Sequence, residues 1–104
     1  LKGTTQMTYV YLMYDYEEHG PENLIATLDR GKIRELAIAQ WGEDPEKEFA
    51  KYPHISLAEH TESARIMIDG IDKALSKTDE ELEQYGAQFR DGWGWPGLQA
   101  VKLA

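Results

Sequence analysis

The feature that most constrains the fold is a long helical period in the second half of the chain. Ser56 and Glu59 form an S-x-x-E capping box, which satisfies free backbone amides at a helix start. Mostly apolar residues then recur every three or four positions, the spacing of one helix face: Leu57, Thr61, Ala64, Met67, Ile68, Ile71 and Leu75. The spacing predicts a helix from Leu57 to about Ser76, with Gly70 at a close packing contact.

The layer that this helix packs on is predicted near the N-terminal end. Residues 8–16 read T-Y-V-Y-L-M-Y-D-Y, a strand composition with apolar residues on both faces. A strand covered on both faces is usually central in its sheet. Gly20 and Pro21 indicate a turn and residues 23–28 alternate again, so we expect a hairpin with a long tip. Residues 98–103 alternate as well and predict a last strand.

Start and stop signals predict three shorter helices. Asp29 is a helix N-cap, and the helix behind it ends at Gly42, a residue that tolerates positive φ. Asp44, followed by a proline, starts a second helix. Thr78 and Glu81 form a capping box for a third.

The predicted order β-β-α-α-α-α-β indicates the α+β class, with a small, mainly antiparallel sheet packed against helices. The length of 104 residues fits a single domain over residues 1–104. Within it, residues 1–6 are interpreted as a lead-in, disordered or foreign to the natural protein. Residues 87–97 are predicted to be a loop.

The chain carries 19 acidic against 11 basic residues, a formal charge of −8. That charge repels phosphate backbones, so we expect no direct nucleic-acid binding, while it attracts basic protein surfaces. The simpler alternative is that the charge only maintains solubility. There is no cysteine, and no apolar run reaches the ~20 residues of a membrane span, so we expect a cytoplasmic protein without membrane contact.

The loop with Trp93 and Trp95 is the strongest candidate for a binding site. Alternation would place the two indoles on opposite sides of an extended segment, one against the core and one facing a partner. The alternative is that both hold the loop on the helices. Asp91 lies in the same loop and is a further binding candidate.

Carboxylates supply the remaining binding candidates. They occur at the hairpin tip, beside His19, and between the first two helices: Glu17, Glu18, Glu43, Asp44 and Glu46. The tip lacks the spacing of a calcium loop, and charge runs are usually solvated surface. A second acidic stretch covers residues 79–83.

Catalytic and metal-binding motifs are not found. The sequence contains no G-x-S-x-G, P-loop or H-E-x-x-H motif, and His54 and His60 are six residues apart, off a common helix face. We therefore expect neither a cofactor nor a metal. A carboxylate-based enzyme stays a third alternative that no motif supports.

Residues 9–33 resemble small uncharacterised accessory proteins of bacteria and their phages, which open with a Tyr-rich strand ending in Tyr-Glu and a hairpin. The resemblance carries over no functional residue. It implies a small accessory protein, a class that often blocks host defence by binding.

The leading hypothesis is thus an acidic protein-binding domain, a phage-type inhibitor of a bacterial defence system that acts on a basic protein surface. The alternative is a small-molecule or nucleotide-binding protein that stacks a base on Trp and Tyr faces. The sequence does not indicate the oligomeric state.

Overall fold

The computed structural model describes residues 8–17 and 20–103. The expected lead-in over residues 1–6 and the candidate Glu18 lie outside the described residues, and of Glu17 only the backbone is described. The fold is α+β, as predicted. Its elements are β1 (Tyr9–Glu17), β2 (Gly20–Thr27), a 3₁₀ turn (Arg30–Lys32), α1 (Ile33–Trp41), α2 (Pro45–Lys51), α3 (Leu57–Leu75), α4 (Asp79–Gln84), β3 (Ala87–Gln88) and β4 (Gly97–Lys102).

The four strands form one antiparallel sheet in the order β2-β1-β4-β3. The central position predicted for β1 is confirmed. Its first face, with Tyr9, Tyr11 and Met13, is buried in the core. The opposite face is only partly buried and lies outside the core cluster, so the expected cover on both faces is wrong for the described part of the chain.

The long helix α3 packs its buried face on this tyrosine-lined layer. The buried positions are His60, Ala64, Met67, Ile71 and Ala74. The buried face of α3 is therefore slightly rotated from the predicted apolar face, since Leu57 and Thr61 are exposed and His60 is buried instead. The reason is a contact with α2, because His60 Nε2 lies 3.1 Å from the carbonyl oxygen of Tyr52 and its ring packs edge-on against Phe49.

Gly70 brings α3 against the sheet edge, which confirms the predicted close contact. A Cβ atom at this position would lie 1.6 Å from the carbonyl oxygen of Phe89, the residue that follows β3. Only a glycine permits this approach. The helix thereby lies beside an edge strand whose backbone groups would otherwise be open to other chains.

Three local predictions are corrected. Gly20 and Pro21, predicted as a turn, belong to β2 and pair with Glu17 and Tyr16, so the predicted long hairpin tip is wrong. Residues 87 and 88, predicted as loop, form the edge strand β3, which pairs Ala87 with Leu98 and is too short to show alternation in sequence. Gly42 ends α1 as predicted, but its φ is −66°, not positive. Glycine is needed there because a Cβ would lie 2.4 Å from the carbonyl oxygen of Ile38.

Arg30 ties three elements together. Its guanidinium donates to the carbonyl oxygens of Leu75 and Lys77, where α3 ends, and to the carboxylate of Asp79, where α4 begins. Tyr11 of β1 donates to the same carboxylate at 2.8 Å. These contacts give the ends of both helices polar partners beside the sheet. Across residues 8–17 and 20–103, no helix has the length and apolarity that crossing a membrane requires.

Candidate binding surface

The face of the sheet away from the helices carries no charged side chain at its described strand positions. Register and alternation place these residues on the open face: Val10, Leu12, Tyr14, Tyr16, Pro21, Leu24, Ala26, Gln88, Gln99 and Val101. The hydrogen bond from the amide of Leu103 to the carbonyl oxygen of Thr8 extends the register to Leu103. Charged residues make up 29% of the chain. A continuous apolar surface of this kind is typical of an interaction site.

The register of the hairpin keeps charged groups off this face. Asn23 adopts a positive φ of 55° at a β-bulge, where the pairing shifts between Met13 and Asp15. Its side-chain amide donates to the carboxylate of Asp15 at 2.7 Å. Asp15 is buried on the helix side of the sheet, so the bulge leaves Leu24 to point outward.

The open face has two chemically different halves. Its aliphatic half lies where β1 begins and consists of Val10, Leu12, Ala26, Val101 and Leu103. Its other half lies where β1 ends and is aromatic. There the sheet borders a cleft of about 200 Å³, called here the aromatic cleft and defined by Tyr14, Tyr16, Tyr85, Trp95, Gln88 and Gln99.

The aromatic cleft is uncharged and its rings are accessible. Tyr85, in the turn after α4, is 77% exposed, and Tyr16 is 54% exposed. The hydroxyl of Tyr14 donates to Gln99 Oε1 across neighbouring strands at 3.3 Å. No acidic or basic residue is among its lining residues, so the cleft offers ring faces and amides as its contact groups.

The two indoles of the Trp loop have different environments. Trp95 is partly buried against the core, and the guanidinium of Arg90 lies 4.3 Å from its ring centroid. Arg90 also donates to Ser63 of α3 at 3.0 Å, which ties the loop to the helix. Trp93 is 71% exposed. Gly92 and Gly94 flank it with positive φ values, so the turn on each side of Trp93 depends on glycine.

The acidic candidates differ in exposure and in role. Asp91 is exposed in the Trp loop, and Glu46 is exposed on α2. Glu43 is half-buried, and Asp44 caps α2 by accepting from the amides of Glu46 and Lys47. Asp44 therefore has a structural role. The backbone of Glu17 ends β1 beside the aromatic cleft.

A packing contact connects the first acidic stretch with the Trp loop. Trp41, the last residue of α1, packs edge-to-face on Phe89 with ring centroids 6.0 Å apart. Glu43 follows Trp41 by two residues, and Asp91 follows Phe89 by two. The fold thus brings two segments that are distant in sequence to the same side of the core.

The second acidic stretch is mainly structural. Asp79 binds Arg30 and Tyr11, and Glu83 lies 3.9 Å from Lys102. Glu81 and Thr78 complete a capping box, and the hydrogen bonds to Glu81 from the backbone and side chain of Thr78 lower the pKa of its carboxyl. These contacts stabilise α4, and two of the carboxylates, those of Asp79 and Glu83, lie beside basic side chains.

A second cleft, of about 400 Å³, lies between α3 and residues 88–91. It is lined by three cationic and two acidic side chains: Arg65, Lys73, Arg90, Asp69 and Asp91. The guanidinium of Arg65 is bonded to Glu62 and Asp69, so these charges largely neutralise each other. Within the described ranges, no three His, Asp or Glu residues converge as metal ligands.

Sequence reasoning identified Trp95, which lines the aromatic cleft, and Trp93, which does not, and it missed the remaining lining residues. Tyr14, Tyr85 and Trp95 are brought together only by strand pairing and by the turn after α4. The available signal was the alternation of Tyr14 and Tyr16 along β1. Comparisons with protein-family models, curated proteins and solved structures give no match for this chain.

Proposed function

We propose that this protein is a protein-binding domain whose aromatic cleft, together with Trp93, receives basic side chains of a partner. One observation carries the proposal. Accessible aromatic rings line an uncharged cleft at the end of an uncharged sheet face, on a chain with a net charge of −8.

The physical argument combines two effects of different range. The net charge attracts a basic surface over several ångströms and raises its rate of association. At contact, the negative face of a Tyr or Trp ring attracts an ammonium or guanidinium group by about 0.5–1 kcal/mol at an exposed site. Tyr, Trp and Arg are the side chains most enriched at the energetic centres of protein interfaces.

The fold already contains one contact of this kind. Arg90 covers the ring of Trp95 at 4.3 Å, although Arg90 does not line the aromatic cleft. The indole at the cleft border therefore holds a guanidinium within the protein itself. A partner arginine beside Tyr14, Tyr16 or Tyr85 would repeat that chemistry across an interface.

Affinity capture from a bacterial lysate tests the proposal. The bait is the wild type, a Tyr85→Leu/Trp93→Leu variant, or a Tyr52→Leu control, which removes an exposed tyrosine outside the cleft. We expect a basic partner that the wild type and the control retain, and that the double variant loses. Retention should fall between about 50 mM and 500 mM salt, because surface charges are then screened.

Equal retention by the double variant would remove the cleft from the proposal. Retention that salt leaves unchanged would remove its electrostatic part. The more specific hypothesis of a phage-type inhibitor of a bacterial defence system stays a prediction, and the identity of the captured partner tests it.

The aromatic lining also favours a second candidate, a small planar ligand stacked on the tyrosines. The cleft volume of about 200 Å³ is below the ~300 Å³ at which ordinary ligand pockets begin, so a side chain fits it better than a nucleotide. Mass spectrometry of the denatured, freshly purified protein discriminates between them. A released nucleotide at equal molar amount would replace the first proposal.

A further inference from the structure

We infer that the aromatic cleft is specific for a trimethylammonium group, carried by a trimethylated lysine of the partner. This inference rests on the function proposed above and deepens it, because it names the cation that the cleft binds most tightly. Three properties of the cleft support it: a floor without a side chain, rings that come from separate segments of the chain, and neutral polar groups.

A glycine forms the floor of the cleft. Gly97, the first residue of β4, pairs with Tyr14 of β1 on one side and with Gln88 of β3 on the other. Residues paired across neighbouring strands point to the same face of a sheet, so a side chain is missing between Tyr14 and Gln88. The gap lets a ligand group reach the backbone of β4 between the two flanking side chains.

The rings around this floor come from three segments. The first is β1, the second is the turn after α4 and the third is the Trp loop, and they supply Tyr14 and Tyr16, Tyr85, and Trp95 in that order. Trp95 already holds the guanidinium of Arg90 at 4.3 Å from its ring centroid, so we expect the tyrosines to be the contacting rings. Several ring faces around one cation are the arrangement by which proteins recognise choline and methylated lysine.

The polar side chains of the cleft are neutral and partly engaged within the fold. Gln99 Oε1 accepts from the hydroxyl of Tyr14 at 3.3 Å, and Gln88 Nε2 donates to the carbonyl oxygen of Gly92 at 3.4 Å. Among the described residues that line the cleft, none is a carboxylate. A lysine ammonium has three N–H donors and is strongly hydrated, and these neutral groups replace its water only in part. The cleft therefore disfavours an unmodified lysine.

Trimethylation keeps the charge of the lysine and removes this disadvantage. A trimethylammonium group has no N–H donor, so it loses no hydrogen bond when it leaves water, and its methyl groups contact ring faces directly. Arginine is intermediate, because its guanidinium is weakly hydrated and stacks on rings but still carries five N–H donors. The cleft volume of about 200 Å³ fits the end of one side chain. The apolar stem of the lysine would lie on the open face of the sheet beside the cleft.

A nuclear magnetic resonance titration of the full chain with four peptides tests the inference. The probes are acetyl-Gly-Lys-Gly-amide, the same peptide with trimethyllysine, its neutral isostere with carbon in place of the trimethylated nitrogen, and acetyl-Gly-Arg-Gly-amide. We expect the trimethyllysine peptide to bind at least ~5-fold more tightly than the lysine peptide and the neutral isostere, with the arginine peptide between them. Equal binding of the lysine peptide or of the neutral isostere would overturn the inference.

Variants at Tyr85 show whether the ring is the contacting group. Tyr85→Phe keeps the ring and should leave the affinity for the trimethyllysine peptide within about twofold of the wild type, whereas Tyr85→Leu should weaken it at least ~3-fold. Tyr52→Leu, outside the cleft, is the matched control and should change nothing. Equal losses in Tyr85→Phe and Tyr85→Leu would assign the contact to the hydroxyl and would overturn the inference.

Choline distinguishes the two sources of a trimethylammonium group. It lacks the lysine stem and the peptide backbone, so it should bind at least ~3-fold more weakly than the trimethyllysine peptide. Choline that binds as tightly as this peptide would overturn the assignment to a protein side chain.

The same titration separates this inference from the proposed function. If the arginine peptide binds more tightly than the trimethyllysine peptide, the inference is overturned and the binding of basic side chains in the cleft is retained. If no cationic peptide shifts the tyrosine resonances, the proposed function fails as well.

Discussion

The hydroxyl of Tyr11 donates a 2.8 Å hydrogen bond to Asp79, the carboxylate that also binds Arg30. This contact joins the central strand to the start of α4 and to the end of α3. A carboxylate that the sequence places in a surface cluster is thus part of the structural framework. The distinction matters, because a carboxylate that already binds a guanidinium within the fold is less available to a partner.

Replacing Arg30 with alanine should destabilise the protein by about 2–3 kcal/mol, because it removes a carbonyl cap of α3 and leaves Asp79 without its guanidinium. Arg34→Ala is the control, since Arg34 forms one exposed ion pair with Asp72 and should lose less than about 1 kcal/mol. Urea denaturation measures both. Equal losses would show that Arg30 has no special role.

The free energies of unfolding of Tyr11→Phe and of the wild type should become more similar at alkaline pH. Burial and the hydrogen bond to Asp79 raise the pKa of Tyr11 above its ordinary value of about 10. Above that pH the unfolded tyrosine ionises first, so the wild type loses stability as pH rises through the raised pKa, whereas phenylalanine cannot ionise. At pH 7 the variant should be less stable, because it lacks the hydrogen bond.

The free energy of unfolding of both proteins, measured from pH 7 to 11, checks this prediction. A difference in free energy of unfolding that stays constant or grows above pH 10 would contradict this prediction. The comparison uses differences between two proteins at each pH, so effects common to both cancel.

Gly70→Ala should destabilise the protein by about 3 kcal/mol, although alanine normally stabilises a helix by about 1 kcal/mol relative to glycine. The new methyl group would lie 1.6 Å from the carbonyl oxygen of Phe89, which forces α3 away from the sheet edge. The sign of the change in a thermal melt is therefore diagnostic. A stabilised variant would show that α3 and residue 89 do not touch.

The two tryptophans should differ in their effect on stability. Trp95→Leu should lower the free energy of unfolding by about 2 kcal/mol, because it removes core packing and the ring that contacts Arg90. Trp93→Leu should stay within about 0.5 kcal/mol of the wild type, since its indole is exposed. Chemical denaturation distinguishes them, and equal losses would mean that both indoles belong to the core.

Local patterns predicted most of the elements, because capping boxes and periodicity are properties of adjacent residues. The helix at Leu57–Leu75 and the central position of β1 follow from such patterns. The exact buried face of α3 does not, because His60 is drawn inward by α2, an element elsewhere in the chain. The two-residue strand β3 is too short to carry a period.

The candidate surface was harder to predict than the fold. Apolar residues on both faces of β1 indicate that both faces are buried. The pattern does not show whether the second face would be buried by the same chain. The aromatic cleft combines Tyr14 with Tyr85 and Trp95, which are close only after the sheet has formed. Alternation separated Trp93 from Trp95 but could not say which indole faces outward.

The most direct test of the aromatic cleft is a nuclear magnetic resonance titration with acetyl-Gly-Arg-Gly-amide and with the same peptide carrying citrulline, its uncharged isostere. The account predicts that the arginine peptide shifts the ring-proton resonances of Tyr14, Tyr16 and Tyr85. It should bind at least about threefold more tightly than the citrulline peptide. Tyr85→Leu should weaken this binding and Tyr52→Leu should not. Equal binding of both peptides, or shifts confined to residues outside the cleft, would contradict the account.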